Sequence, residues 1–142
     1  MHASRSWVAE AVPLYAALLA ALAGCGSDGL PLARVHGTVS YQGKPLEHGK
    51  VVFFPEAGTP GPQAVGTIQS DGTFRMQTIG RDGAAVGRHR VLVHCRQPLP
   101  PESQRQMLAR ESLIPRRYSV LEESPLRFEV KDGDNEYPIA LQ

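Results

Sequence analysis

Cys25 follows Leu22-Ala23-Gly24 at the end of an apolar stretch, which sets a thiol directly behind two small residues. Small residues let a backbone enter a peptidase site, and a cysteine thiolate is a nucleophile that can take up another group. The chemistry this spacing suggests is lipidation of Cys25 with cleavage just before it. The other chemistry-bearing residues are dispersed. His36, His48, His89 and His94 show no His-x-x-x-His spacing, and Cys25 and Cys95 no Cys-x-x-Cys spacing, that would set metal ligands on one element. Surface or rim positions explain these histidines, although His36 and His94 could meet across strands. No serine sits in a Gly-x-Ser-x-Gly turn. Asp132, Asp134, Asn135 and Glu136 crowd enough oxygens to suggest calcium, which takes about six to eight, yet their spacing matches no calcium loop and a polar turn accounts for them. No catalytic residue, metal ligand or cofactor is therefore expected.

The element that must position Cys25 is the leader over residues 1–24. Arg5 stands in a short polar head, residues 11–23 form an apolar core broken only by Pro13, and Ala23-Gly24 closes it. A transmembrane helix needs roughly 20 apolar residues, so this shorter core reads as a signal helix that is removed. Leu22-Ala23-Gly24-Cys25 resembles the lipobox at which bacteria attach diacylglycerol to a cysteine and cut before it. One acyl chain binds membranes marginally and two bind stably. The expected location is the bacterial cell envelope, with the remaining chain anchored to a membrane through Cys25 and facing the periplasm or the exterior.

Residues 25–33 read as a tether and residues 34–142 as one domain, large enough to bury a core without staples. The chain has 15 basic and 14 acidic residues, a net charge of +1, and losing Arg5 and Glu10 with the leader leaves that balance unchanged. A nucleic-acid partner is not expected at this charge. With Cys25 acylated, Cys95 has no disulfide partner and is free to be a core residue.

Beyond the tether, period-two alternation punctuated by turn residues predicts about seven short strands. Val35, Val39 and Tyr41 face one way, with His36, Thr38 and Ser40 opposite. The continuous run Val51-Val52-Phe53-Phe54 belongs near a sheet centre with both faces at least partly covered. Asp71-Gly72 separates strands over residues 64–69 and 73–77, with Phe74 and Met76 inward. Val91, Val93 and Cys95 share a face, as do Leu126, Phe128 and Val130. Asp132-Gly133 makes a second tight turn before Tyr137, Ile139 and Leu141. Residues 55–62, with three prolines, and the glycine-rich residues 78–86 read as exposed loops. The only helix candidate within the domain lies at residues 102–112, and no internal repeat is visible.

Val35-His36-Gly37-Thr38-Val39, Gly43-Lys44-Pro45-Leu46, Gly49-Lys50-Val51-Val52-Phe53 and Asp71-Gly72-Thr73-Phe74 resemble carboxypeptidase regulatory-like, or transthyretin-like, β-sandwich domains. Leu113-Ile114-Pro115, Arg117-Tyr118-Ser119, Ser124-Pro125-Leu126 and Asn135 are similar to a group of small bacterial lipoproteins built on that domain. The resemblance implies an all-β, seven-stranded antiparallel Greek-key sandwich that is exported, anchored and without catalytic activity. Hydrolases on the transthyretin-like fold end in Tyr-Arg-Gly-Ser, whereas this chain ends Tyr137-Pro138-Ile139-Ala140-Leu141-Gln142. Adhesin sandwiches of the collagen-binding B type carry a Lys-Asn isopeptide bond, for which Lys50, Asn135 and Glu56 are the conceivable set.

Charge is unevenly distributed. Residues 75–117 hold nine arginines against three acids, and residues 118–142 six acids against two bases. Two solvated faces explain this, and the sharper alternative is that Arg88, Arg90, Arg96, Arg105, Arg110, Arg116 and Arg117 form a patch for anionic polymers or lipid headgroups. The function expected is a noncatalytic, lipid-anchored structural or protein-interaction module. The alternative is a module for envelope polysaccharide or another ligand, working through loops 55–62 and 78–86, although few aromatic residues are present to stack on sugars.

Overall fold

The computed structural model describes residues 29–98 and 111–142. The leader, Cys25 and the start of the tether, and nearly all of the candidate helix, lie outside the described residues. Among the described residues ten strands run in chain order: β1 Leu32–Tyr41, β2 Lys44–Pro45, β3 Lys50–Pro55, β4 Ala64–Thr67, β5 Thr73–Thr78, β6 Arg81–Asp82, β7 Ala84–Ala85, β8 Gly87–His94, β9 Arg127–Val130 and β10 Asp134–Leu141. A 3-10 turn at Arg116–Tyr118 is the only helical element among the described residues, and no helix there is long and apolar enough to cross a membrane.

The seven longer strands are those the alternation predicts, and β1 begins three residues before Val35, at Leu32, because Leu32 and Ala33 pair with Ala85 and Ala84 of β7. The three two-residue ladders were invisible to a period-two reading, which needs several residues to register. Residues 78–86, expected as an exposed loop, hold two of these ladders and bury Thr78, Ala84 and Ala85.

One continuous path, β10-β1-β5-β4-β3-β8-β9, forms a curled sheet in which neighbouring strands are antiparallel with one exception. β1 and β10 run parallel over eight residues, from Arg34 opposite Asp134 to Tyr41 opposite Leu141. This corrects the expectation of a wholly antiparallel arrangement. The cause lies at Asp132-Gly133, a tight turn that is not a hairpin: β9 pairs with β8 while β10 crosses to β1. Gly133 takes φ +94, which a glycine adopts freely. Asn135, 9% exposed, secures the crossing. Its Oδ1 accepts from the Lys131 N–H at 2.9 Å, and its Nδ2 donates to the carbonyls of Lys131 at 2.7 Å and Arg34 at 3.1 Å. The side-chain amide thus replaces a missing strand partner and satisfies backbone groups that are costly to bury alone.

The curl encloses the core. Val35, Val39, Val51, Phe53, Phe74, Met76, Val91, Val93, Cys95, Val130, Ile139 and Leu141 are all buried, and every inward face predicted for these strands is found. At the seam between the path's two end strands, Phe128 of β9 stacks on Tyr137 of β10 with centroids 4.3 Å apart, and Phe53 approaches both rings. Ile114 and Tyr118 contribute to the same cluster from the segment between β8 and β9.

Candidate functional site

His89 lies on β8. It is fully buried, in contrast to the surface or rim position expected, because it shares the inward parity of Val91, Val93 and Cys95 on β8. Its Nε2–H donates to the Ala85 carbonyl at 2.7 Å, its ring packs 5.5 Å from Phe53, and its Nδ1 is buried without a partner. Burial pulls its pKa below the ordinary histidine value, against smaller opposing effects of the Ala85 bond and Glu56.

Cys95 and His48 lie together, with Sγ 3.7 Å from Nε2, and this pair tests for an activated nucleophile. The same Nε2 is 2.9 Å from the Arg96 carbonyl, so it carries the proton and offers no lone pair to the thiol. Burial also pushes the Cys95 thiol pKa up. A protonated thiol facing an N–H donor is a core residue with a polar neighbour.

His36 and His94 do not meet. His36 sits across from Arg75 on β5, and His94 across from Lys50 on β3. Lys50 is exposed, Asn135 spends its amide on backbone groups, and Glu56 joins Arg127 at 3.1 Å and Arg90 at 3.6 Å, so the three residues of the isopeptide set are not buried together. Asp132, Asp134 and Glu136 are exposed, and among the described residues no three His, Cys, Asp or Glu side chains gather to hold a metal. The arginines also have separate engagements. Arg90 donates to the Leu121 carbonyl at 3.0 Å, Arg116 lies 3.5 Å from Glu123, and Arg117 donates to the Gln142 carbonyl at 2.7 Å. Arg105 and Arg110 lie outside the described residues.

What the fold does assemble is a groove of about 400 Å³ on the outer face of β10, β1 and β5. Arg34, His36, Arg75, Asp82 and Asp134 line it. Strand alternation turns Arg34 and His36 outward together, and the register sets Arg34 beside Asp134 and His36 beside Arg75. His36 Nε2 is 3.2 Å from Asp134 Oδ2, an exposed contact of small energetic value. Among the described residues neither Arg34 nor Arg75 has a carboxylate within ion-pair distance. Two guanidinium groups, an imidazole and two carboxylates can hold a group that carries an anion and hydroxyls. No Ser, Cys or Lys nucleophile is among the lining residues. The outward direction of Arg75 is legible in the sequence, but the β1–β5 pairing that brings it to His36 is not.

No protein-family model matches the chain, and no curated protein sequence matches it. A solved structure that it resembles is that of a DUF3823 family protein from Parabacteroides merdae, with 15% sequence identity and a TM-score of 0.45 over 80% of this chain and 47% of that one. The chain spans about half the length of that protein.

Proposed function

We propose that the chain is a lipid-anchored envelope protein whose β domain serves as a noncatalytic structural or protein-interaction module. The observation that carries this reading is Leu22-Ala23-Gly24-Cys25 at the end of a short apolar core, followed within ten residues by an independent all-β core. A further feature supports it: the Cys95 thiol faces a proton donor and not a base. In the finer form of the proposal, the curled sheet is a Greek-key sandwich of the carboxypeptidase regulatory-like kind, on the strength of the Gly43-Lys44-Pro45-Leu46 and Asp71-Gly72-Thr73-Phe74 segments.

Fractionation of cells carrying wild type or Cys25→Ala tests the anchor, with intact mass reporting the processed N-terminus. Wild type is expected in the membrane fraction, shortened by residues 1–24 and heavier by its acyl groups, and Cys25→Ala is expected to lose both changes. Equal membrane retention of an unacylated Cys25→Ala chain would overturn the proposal. In-cell crosslinking of the anchored form would identify the neighbours.

The groove favours a second reading, a module for acidic envelope polysaccharide. Arg34 and Arg75 would take a sugar carboxylate, with Asp82 and Asp134 accepting from hydroxyls. A glycan panel separates the two readings: retention of uronic-acid polymers that Arg34→Gln/Arg75→Gln abolishes supports the second, and silence across the panel removes it.

A further inference from the structure

The hairpin joining β5 to β6 ends in Ile79-Gly80, and this tip is unusual in two independent ways. Ile79 is 84% exposed, the most exposed large hydrophobic residue among the described residues. It also takes φ +48, a conformation that β-branched residues rarely adopt and that glycine or asparagine would occupy with little strain. The fold holds an apolar side chain in water at a backbone position unsuited to it, and no other described residue covers it. Gly80 stands in open space, with no atom near where its Cβ would be.

The position of this tip suggests what meets it. β5 runs antiparallel to β1, so the hairpin lies at the end where the chain enters the domain. Arg81 reaches back toward the Leu30 carbonyl at 3.5 Å, and its guanidinium lies beside Gly29. Leu30 in turn rests on Gly61 of the loop after β3, where a Cβ would strike its side chain. The entry point is therefore tied to both loops. Gly29 is four positions along the chain from Cys25, a span of at most about 14 Å even when fully extended.

We propose that the Ile79-Gly80-Arg81 tip dips into the lipid surface beside the anchor, as a second contact that fixes the orientation of the domain. This inference rests on the lipidation of Cys25. A lipid on that residue confines the entry point to the membrane surface, and the tip beside it brings an exposed apolar side chain to the acyl boundary and a guanidinium to the headgroups. Arg81 is followed by Asp82, so the tip carries little net charge and the contact requires no anionic lipid.

Tryptophan fluorescence of the full chain tests this. The sole tryptophan, Trp7, lies in the leader, so Ile79→Trp would place the only one in the processed protein. Ile79 faces solvent, and its replacement leaves the core intact. The lipidated protein is placed in phosphatidylcholine vesicles with and without brominated chains, and Lys44→Trp, at the far end of β1, serves as the comparison. The expected result is blue-shifted emission from Ile79→Trp, quenched by brominated lipid, and unshifted, unquenched emission from Lys44→Trp. Unquenched Ile79→Trp in a protein whose mass shows lipid on Cys25 overturns the tip contact and leaves the anchor standing. A blue shift without quenching assigns the tip to a protein contact and also overturns it. A bare Cys25 thiol in the processed protein removes the anchor and the inference together.

Discussion

His89 joins two properties that rarely coincide, complete burial and a titratable ring with one nitrogen unpartnered. Burial lowers its pKa in the folded state, and burial with the charges of Arg96 and Lys50 lowers that of His94. The sign of the pH dependence follows. As pH falls below about 6.5 the unfolded chain protonates both histidines while the folded chain resists, so stability falls with acidification through that window. His89→Gln keeps a donor for the Ala85 carbonyl and is expected to flatten this slope, and His94→Gln in addition flattens it further. Urea melts between pH 7 and pH 5 would check both. An unchanged slope in the double variant would place the titration elsewhere. The inward direction of His89 was legible in the parity of Val91, Val93 and Cys95. Its polarity argued for the surface, and one backbone carbonyl plus aromatic packing outweighed that argument.

At the scale of elements, β1 is the strand on which the others depend, with β10 on one side and β5, β2 and β7 sharing the other. Gly37 makes the close approach of β10 possible, since a Cβ there would run into the Tyr137 carbonyl and crowd the Phe74 ring. Gly37→Ala is therefore expected to cost about 3 kcal/mol, because the atoms a Cβ would strike first belong to the Tyr137 backbone, which cannot swing aside as a flexible side chain would. Thermal denaturation would measure it, and a change below about 1 kcal/mol would show that the strands can part without loss. The seven main strands were legible because each alternates over several residues and is bounded by turn residues such as Asp71-Gly72. Partner choice was not legible. Asp132-Gly133 carries the same signal as a hairpin turn, and only the amide of Asn135, holding Lys131 and Arg34 together, distinguishes a crossing from a hairpin.

For the molecule as a whole, closure of the curl depends on the last strand. Ile139 and Leu141 are buried, and their burial contributes about 3–6 kcal/mol, comparable with the roughly 5–15 kcal/mol that holds a typical domain folded. A chain ending at Lys131 is expected to lose cooperative unfolding, as judged by near-ultraviolet circular dichroism during a urea titration. Retention of a sharp transition would show that the remaining strands close without β10. The candidate groove and the Ile79 tip were the least legible parts at this scale. The groove is built from strands distant in sequence, and a lone isoleucine in a glycine-rich stretch carries no pattern.

The pairing of Arg34 with Asp134 joins positions 100 residues apart, and the strand that completes it follows all the others in sequence. A chain threaded through a narrow channel in order of its synthesis would have no seam to close until the residues beyond Gly133 emerged on the far side. In such a passage the β1–β10 seam would be the last to form, after every other described strand had emerged.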